Sequence, residues 1–238
     1  MIRAVLFDLY DTLLYLNAPA VAETRRQLAA RSGVDQDAWA TLWRENVLDR
    51  MLGKLGGLED ELRTMLQQLG ADPSPELIQE LAETETAGWA GAVTLYPETI
   101  PTLKSLRERG LQLGLISNCS AQAGDVLSRI GLVPYFDALS LSCEVRAMKP
   151  DPAIYHHAAQ TLGVPLTESM FVADGAFTEL DAAKALGMVA VRIEQAHQSG
   201  DYGASTSFDH QIERLTEVMG LLDASADSQA TSCSPSEQ

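Results

Sequence analysis

The sequence predicts an α/β fold, a doubly wound parallel sheet with a block of helices inserted after its first strand, on three observations. An apolar run at the start of the chain, Ile2 to Phe7, stops abruptly at Asp8. From Leu95 to Ile193 strand-like and helix-like segments alternate, the rhythm of parallel strands joined by crossover helices. Between these, from about Ala18 to Gly91, the apolar residues recur with helical spacing and strand-like runs are almost missing.

The first strand is apolar apart from Arg3 and includes the β-branched Ile2 and Val5, the pattern of a strand buried on both faces. In the inserted block, Ala20 to Ala30, Asp37 to Leu52, Glu59 to Leu69 and Pro75 to Trp89 read as helices, with breaks at Ser32-Gly33, Gly53 to Gly57 and Gly70 to Pro75. That is too much chain for one crossover helix. After Leu95-Tyr96-Pro97 the expected order is helix Thr99 to Arg109, strand Leu111 to Ile116, helix Ala121 to Ile130 and strand Ala138 to Leu141. Helix Ala153 to Leu162, strand Ser169 to Ala173, helix Leu180 to Leu186 and strand Met188 to Ile193 follow, with Gly110, Gly131, Gly163 and Gly187 as helix stops. Phe208 to Leu222 is expected to be a closing helix, and Asp223 to Gln238, rich in Ser, Ala, Gln and Asp, a disordered tail.

Composition narrows the function. With 17 basic and 33 acidic residues the formal charge of the 238-residue chain is −16, so nucleic acid and anionic membrane are not expected partners. An anionic substrate then needs positive charge placed locally. Cys119, Cys143 and Cys233 are odd in number and widely spaced, with neither a disulfide framework nor zinc spacing. No signal-peptide pattern opens the chain and no apolar run approaches ~20 residues. The expectation is a cytoplasmic protein, monomer or homodimer, that acts on a small anionic molecule.

Chemistry-bearing residues gather at the predicted strand ends: Asp8, Ser117-Asn118, the Lys149-Pro150-Asp151-Pro152 loop and Asp174-Gly175. In an open α/β sheet that edge is where ligands bind. A carboxylate such as Asp8 attacking an anionic phosphate meets charge repulsion, which cations and aimed donors must offset. Lys149 supplies a fixed positive charge; the hydroxyls of Ser117 and Thr12 and the amide of Asn118 supply donors. Asp8 and Asp174 together form an oxygen-rich pocket suited to a hard cation, Mg²⁺ fitting best.

These segments resemble the four motifs of the haloacid dehalogenase-like (HAD) hydrolases, in order: FDLYDTLL, LGLISN, MKPDPAIY and FVADGAFTELDAAKALGM. The resemblance implies a Rossmann-like core over residues 1–14 and 96–222, with residues 15–95 as a helical cap. It implies Asp8 as nucleophile, with Ser117 and Lys149 binding and neutralising the transferring group. The metal would be held by Asp8, the backbone carbonyl of Tyr10 and Asp174, with Glu179 orienting metal waters or Lys149. Two features pull in opposite directions. Tyr10 stands where the family's phosphatases carry their general acid, and Asp11 lies one position too late to replace it. Tyr at that position resembles the 2-haloacid dehalogenases, whose halide leaving group needs no proton. Leu42-Trp43-Arg44 resembles the cap stretch that carries their substrate-binding arginine. Asp174, in contrast, resembles the phosphatases, because the metal-independent dehalogenases have Ser and Asn at the fourth motif. The expected function is therefore a Mg²⁺-dependent phosphatase of a small phosphorylated metabolite. The alternatives are a metal-independent 2-haloacid dehalogenase and a catalytically weakened binding protein of the same fold.

Overall fold

The computed structural model describes residues 1–195 and 203–231. Its centre is β1 (Ala4–Phe7), buried along its whole length. Alternate side chains enter opposite layers: Val5 and Phe7 join one apolar cluster, Ala4 and Leu6 the other. This two-sided burial is why the strand reads as a continuous apolar run.

The chain then leaves the sheet through β2 (Leu14–Leu16), passes through α1 (Ala18–Ser32), α2 (Gln36–Glu45), α3 (Val47–Met51), α4 (Leu58–Gln68) and α5 (Pro75–Ala92), and returns by β3 (Val93–Leu95). β2 and β3 pair antiparallel as a two-stranded neck. The helices between them bury a core of their own around Leu28, Trp39, Trp43, Leu62 and Leu81. α1 and α5 approach so closely that a Cβ at Gly88 would fall 2.2 Å from the Thr24 hydroxyl. The single helix expected over Asp37 to Leu52 is divided at Asn46, whose side-chain amide donates to the Leu42 carbonyl at 2.9 Å. Asn competes for helix backbone groups in this way.

The second half builds the sheet: α6 (Thr99–Glu108), β4 (Gln112–Ser117), α7 (Ala123–Arg129), β5 (Ala138–Leu141), α8 (Ser142–Val145), α9 (Pro152–Leu162), β6 (Ser169–Ala173), α10 (Glu179–Ala185) and β7 (Val189–Ile193). The order is β5-β4-β1-β6-β7-β8, where β8 is His210–Ile212. All neighbours are parallel, with Val5 opposite both Leu113 and Met170. β8 corrects the first part of the expected closing helix: residues 210–212 add an edge strand, and helix begins only with a 3-10 turn at Leu215–Glu217 that runs into α11 (Val218–Thr231). A three-residue edge strand with one buried side chain leaves almost no apolar pattern to read. α11 also continues to Thr231, into the stretch expected as tail from Asp223; residues 232–238 lie outside the described residues. Among the described residues no helix is long and apolar enough to cross a membrane.

Candidate active site

The ends of β1, β4 and β6 deliver Asp8, Ser117 and Asp174 to one edge of the sheet, and the loop before α9 brings Lys149 to them. The Asp8 amide donates to the Val172 carbonyl at 3.0 Å, carrying the β1–β6 ladder one residue past the strand. Past it, Asp11 takes a positive φ of 57° and turns the chain back. The Leu13 amide closes that turn on Leu9 at 2.9 Å. Thr12, fully buried, accepts from the Asp174 amide at 3.1 Å and so ties the first turn to the end of β6.

Lys149 is the hub. Its ammonium contacts Asp8 and lies 2.6 Å from Glu179, and both lysine and glutamate are almost wholly buried. Its backbone is clamped by one side chain: Asn118 donates Nδ2–H to the Lys149 carbonyl at 3.0 Å and accepts the Lys149 amide on Oδ1 at 2.7 Å. Asn118, expected to face the substrate, therefore uses its amide to position the lysine. Gly175 has a φ of 94°, and its amide donates to Glu179 at 3.2 Å. Phe177 and Thr178 follow, both at positive φ. Non-glycine residues held in that region recur at functional turns. Here the turn aims Glu179 at Lys149. The carboxylates of Asp8, Asp174 and Glu179 offer oxygens within 4.8 Å of one another.

The haloacid dehalogenase-like hydrolase family matches residues 2–187. The chain belongs to that family. A glyceraldehyde 3-phosphate phosphatase of Methanopyrus kandleri is 33% identical over 93% of this chain and 97% of its own length. An (S)-2-haloacid dehalogenase of a Pseudomonas species is 26% identical over 94% of this chain and 96% of its own. Among solved structures, the 2-haloacid dehalogenase of Pseudomonas syringae pv. Tomato covers 94% of this chain and 99% of its own, at 27% identity and a TM-score of 0.71.

The electrostatics of this hydrolase follow from burial. Burial raises the Asp8 carboxyl; Lys149 pulls it back, Asp174 adds to the rise, and it stands at about 6. Burial works against the Lys149 ammonium, but Asp8 and Glu179 outweigh it and hold the lysine charged. Burial also lifts Glu179 well above the usual carboxylate range, opposed by Lys149 and reinforced by Asp8 and Asp174. The Tyr10 phenol is pushed upward by burial and by the neighbouring Cys119, Asp8 and Cys143. It stays protonated at neutral pH, able to donate a hydrogen bond but not to act as a base. Its ring meets Trp89 of the helical insert edge-on, centroids 6.3 Å apart. The buried Ser117 hydroxyl has no hydrogen-bond partner among the described residues, which leaves it free to donate to a ligand.

Of the residues singled out in the sequence, Asp8, Thr12, Ser117, Asn118, Lys149, Asp174 and Glu179 come together, with Tyr10 beside them. Arg44 does not join them. It is exposed in the last turn of α2 and donates to the Thr41 hydroxyl at 3.1 Å; among the described residues no contact links it to the cluster. Three residues the sequence did not flag support the site. Tyr155 donates its hydroxyl to the Glu179 carbonyl at 2.9 Å. Phe171 lies beneath the Lys149 ammonium, 5.6 Å from ring centroid to nitrogen. Gln195 donates to the Thr12 carbonyl at 3.2 Å. Tyr155 stands in the MKPDPAIY segment, six residues after Lys149, but in the first turns of α9, which starts after the lysine, so no helical spacing from Lys149 picks it out.

Proposed function

We propose that this hydrolase is a Mg²⁺-dependent phosphatase of a small phosphorylated metabolite, with residues 15–95 acting as a cap over the site. The observation that carries the reading is the charge balance at the strand edge: Asp8, Asp174 and Glu179 within 4.8 Å of one another, against the single ammonium of Lys149. An acid at position 174 without a cation would only repel Asp8. All-oxygen donors of this kind suit a hard divalent ion. Asp8, Asp174 and the backbone carbonyl of Tyr10 would hold it, with Glu179 close enough to orient its waters. Bound there, the ion would neutralise charge between the carboxylate and the phosphoryl group.

The protein groups do the rest. Asp8 attacks phosphorus, a P–O bond forms on the carboxylate, and the bond to the leaving oxygen breaks. Lys149 and the Ser117 hydroxyl hold the phosphoryl oxygens as charge builds. Water then attacks the aspartyl phosphate at phosphorus, releasing inorganic phosphate and restoring Asp8. Tyr10 is a weak proton donor in the first step, so the reading favours phosphate esters whose leaving group departs without strong acid help. The M. kandleri relative makes glyceraldehyde 3-phosphate the first substrate to try.

Tyr10 also favours a second reading, the metal-independent 2-haloacid dehalogenase, in which Asp8 attacks carbon and expels halide. One comparison separates them: phosphate release from glyceraldehyde 3-phosphate and p-nitrophenyl phosphate, with Mg²⁺ or with EDTA, beside halide release from 2-chloropropionate. Phosphate release that EDTA abolishes is expected. Halide release insensitive to EDTA, with no phosphate released, overturns the phosphatase reading.

A further inference from the structure

The turn that aims Glu179 is gripped from outside by residues 203–206, which lie between β7 and β8. Ser205, buried, reaches both ends of that turn. Its amide donates to the Gly175 carbonyl at 2.7 Å, and its hydroxyl accepts the Leu180 amide at 3.0 Å. The fit is close: a Cβ at Gly175 would fall 3.4 Å from the Ser205 Cβ. The neighbours of Ser205 add to the grip. The Gly203 carbonyl accepts the Thr178 amide at 3.2 Å. The Thr206 amide and hydroxyl donate to the Asp181 carboxylate at 3.0 and 3.2 Å.

The turn needs such support. Gly175, Phe177 and Thr178 all stand at positive φ, a conformation that non-glycine residues keep only where their surroundings impose it. Two of the bonds inside the turn draw on the working groups of the site. The Ala176 amide donates to Asp174 at 3.2 Å, and the Gly175 amide donates to Glu179 at 3.2 Å. A carboxylate that must also meet a lysine or a cation is a poor strut. Ser205 carries no such duty, and nothing in the chemistry proposed above uses it.

We propose that Ser205 is a positioning residue of the active site: by gripping Gly175 and Leu180 it fixes the turn between them, and so the placement of Glu179 against Lys149. Among the described residues no hydrogen bond joins Ser205 to Asp8 or Lys149, so it acts through the turn. Partners that orient a site's carboxylates from behind are typically worth ~10–100-fold in activity. The effect on turnover rests on the phosphatase reading above; the grip on the turn does not.

The test compares the full chain with Ser205→Ala, which keeps the backbone bond to Gly175 and removes the acceptor of the Leu180 amide. Without Mg²⁺, hydrogen exchange over residues 175–181 should speed ~10-fold, about the worth of one hydrogen bond, with exchange in β1 and β4 unchanged. With Mg²⁺, kcat on p-nitrophenyl phosphate should fall ~10–100-fold at nearly constant KM. In a Glu179→Gln background the same substitution should lower kcat no more than about 2-fold further, because residues that act as a unit are not additive. Asp181→Ala releases Thr206 instead and should move exchange and kcat in the same direction; it decides the matter should Ser205→Ala not fold. The proposal is overturned if exchange over 175–181 is unchanged, if it rises and kcat does not fall, or if the loss multiplies in full onto that of Glu179→Gln. Were the parent inactive on phosphate esters, that failure would belong to the phosphatase reading, and exchange alone would decide the grip of Ser205.

Discussion

Two buried clusters of charge lie in this molecule, one at the strand edge and one inside the helical insert, and they are built on opposite principles. In the insert, Arg50 bonds Glu61 at 2.9 Å with both side chains almost fully buried. Its guanidinium stacks 3.8 Å over Trp43, with Arg25 5.1 Å from the same ring. Glu85 accepts from the Trp89 indole at 2.8 Å and is held by the charges of Arg50 and Arg25 against the effect of its burial. Two cations thus face two carboxylates, and the charge cancels within the protein. At the strand edge Lys149 faces three carboxylates, and the charge does not cancel. The insert cluster is neutral as it stands, which suits a structural role; the strand-edge cluster is left negative, which suits a cation. Burial alone does not separate the two. Net charge does.

The strongest way to break this contrast is to neutralise the centre of the unbalanced cluster. Asp8→Asn should cut p-nitrophenyl phosphate turnover by about 10⁴-fold or more, as removal of a catalytic nucleophile does, while the melting temperature stays within a few degrees. Residual turnover near the parent level would mean that another group attacks. In the insert the expectation reverses. Arg50→Met strands Glu61, leaving Glu85 to Arg25 and the Trp89 indole, and should cost about 3–5 kcal/mol in urea unfolding, with kcat of the surviving folded protein within a few-fold of the parent. A large fall in kcat at unchanged stability would make the insert cluster a site and dissolve the contrast. A smaller effect is expected at the joint between strand and lysine. Asn118→Ala frees the Lys149 backbone and should lower kcat ~10–100-fold, since small misplacements at a site are amplified, and leave KM nearly unchanged. A rise in KM without a fall in kcat would return Asn118 to direct substrate contact.

What could be read in the sequence follows from how each segment is buried. β1, β4 and β6 are almost wholly buried on both faces, so each appears as an apolar run whose polar terminus announces Asp8, Ser117 or Asp174. β8 escaped because His210 and Gln211 are exposed and only Ile212 enters the core. The neck strands β2 and β3, three residues each, are too short to carry a period. Asp8, Lys149 and Asp174 were legible as residue types at strand ends. The pairing of Glu179 with Lys149 was reachable only as one of two roles that the family resemblance implied, because its geometry depends on the left-handed turn at Phe177 and Thr178, and neither residue type signals one. The Asn118 clamp is a matter of side-chain direction, which spacing does not convey. Arg44 misled for the related reason that one helix position decides between a cleft and solvent: Trp43 beside it is buried, and Arg44 is exposed.

The excess of carboxylates over ammonium at the strand edge is tested most directly by thermal unfolding of the parent and of Asp174→Asn, each with and without Mg²⁺. The parent should melt several degrees higher with the ion, because a ligand that binds only the folded state stabilises it. Asp174→Asn should lose most of that shift while melting no lower than the parent in EDTA. A parent indifferent to Mg²⁺, or a variant shifted as far as the parent, would contradict the account.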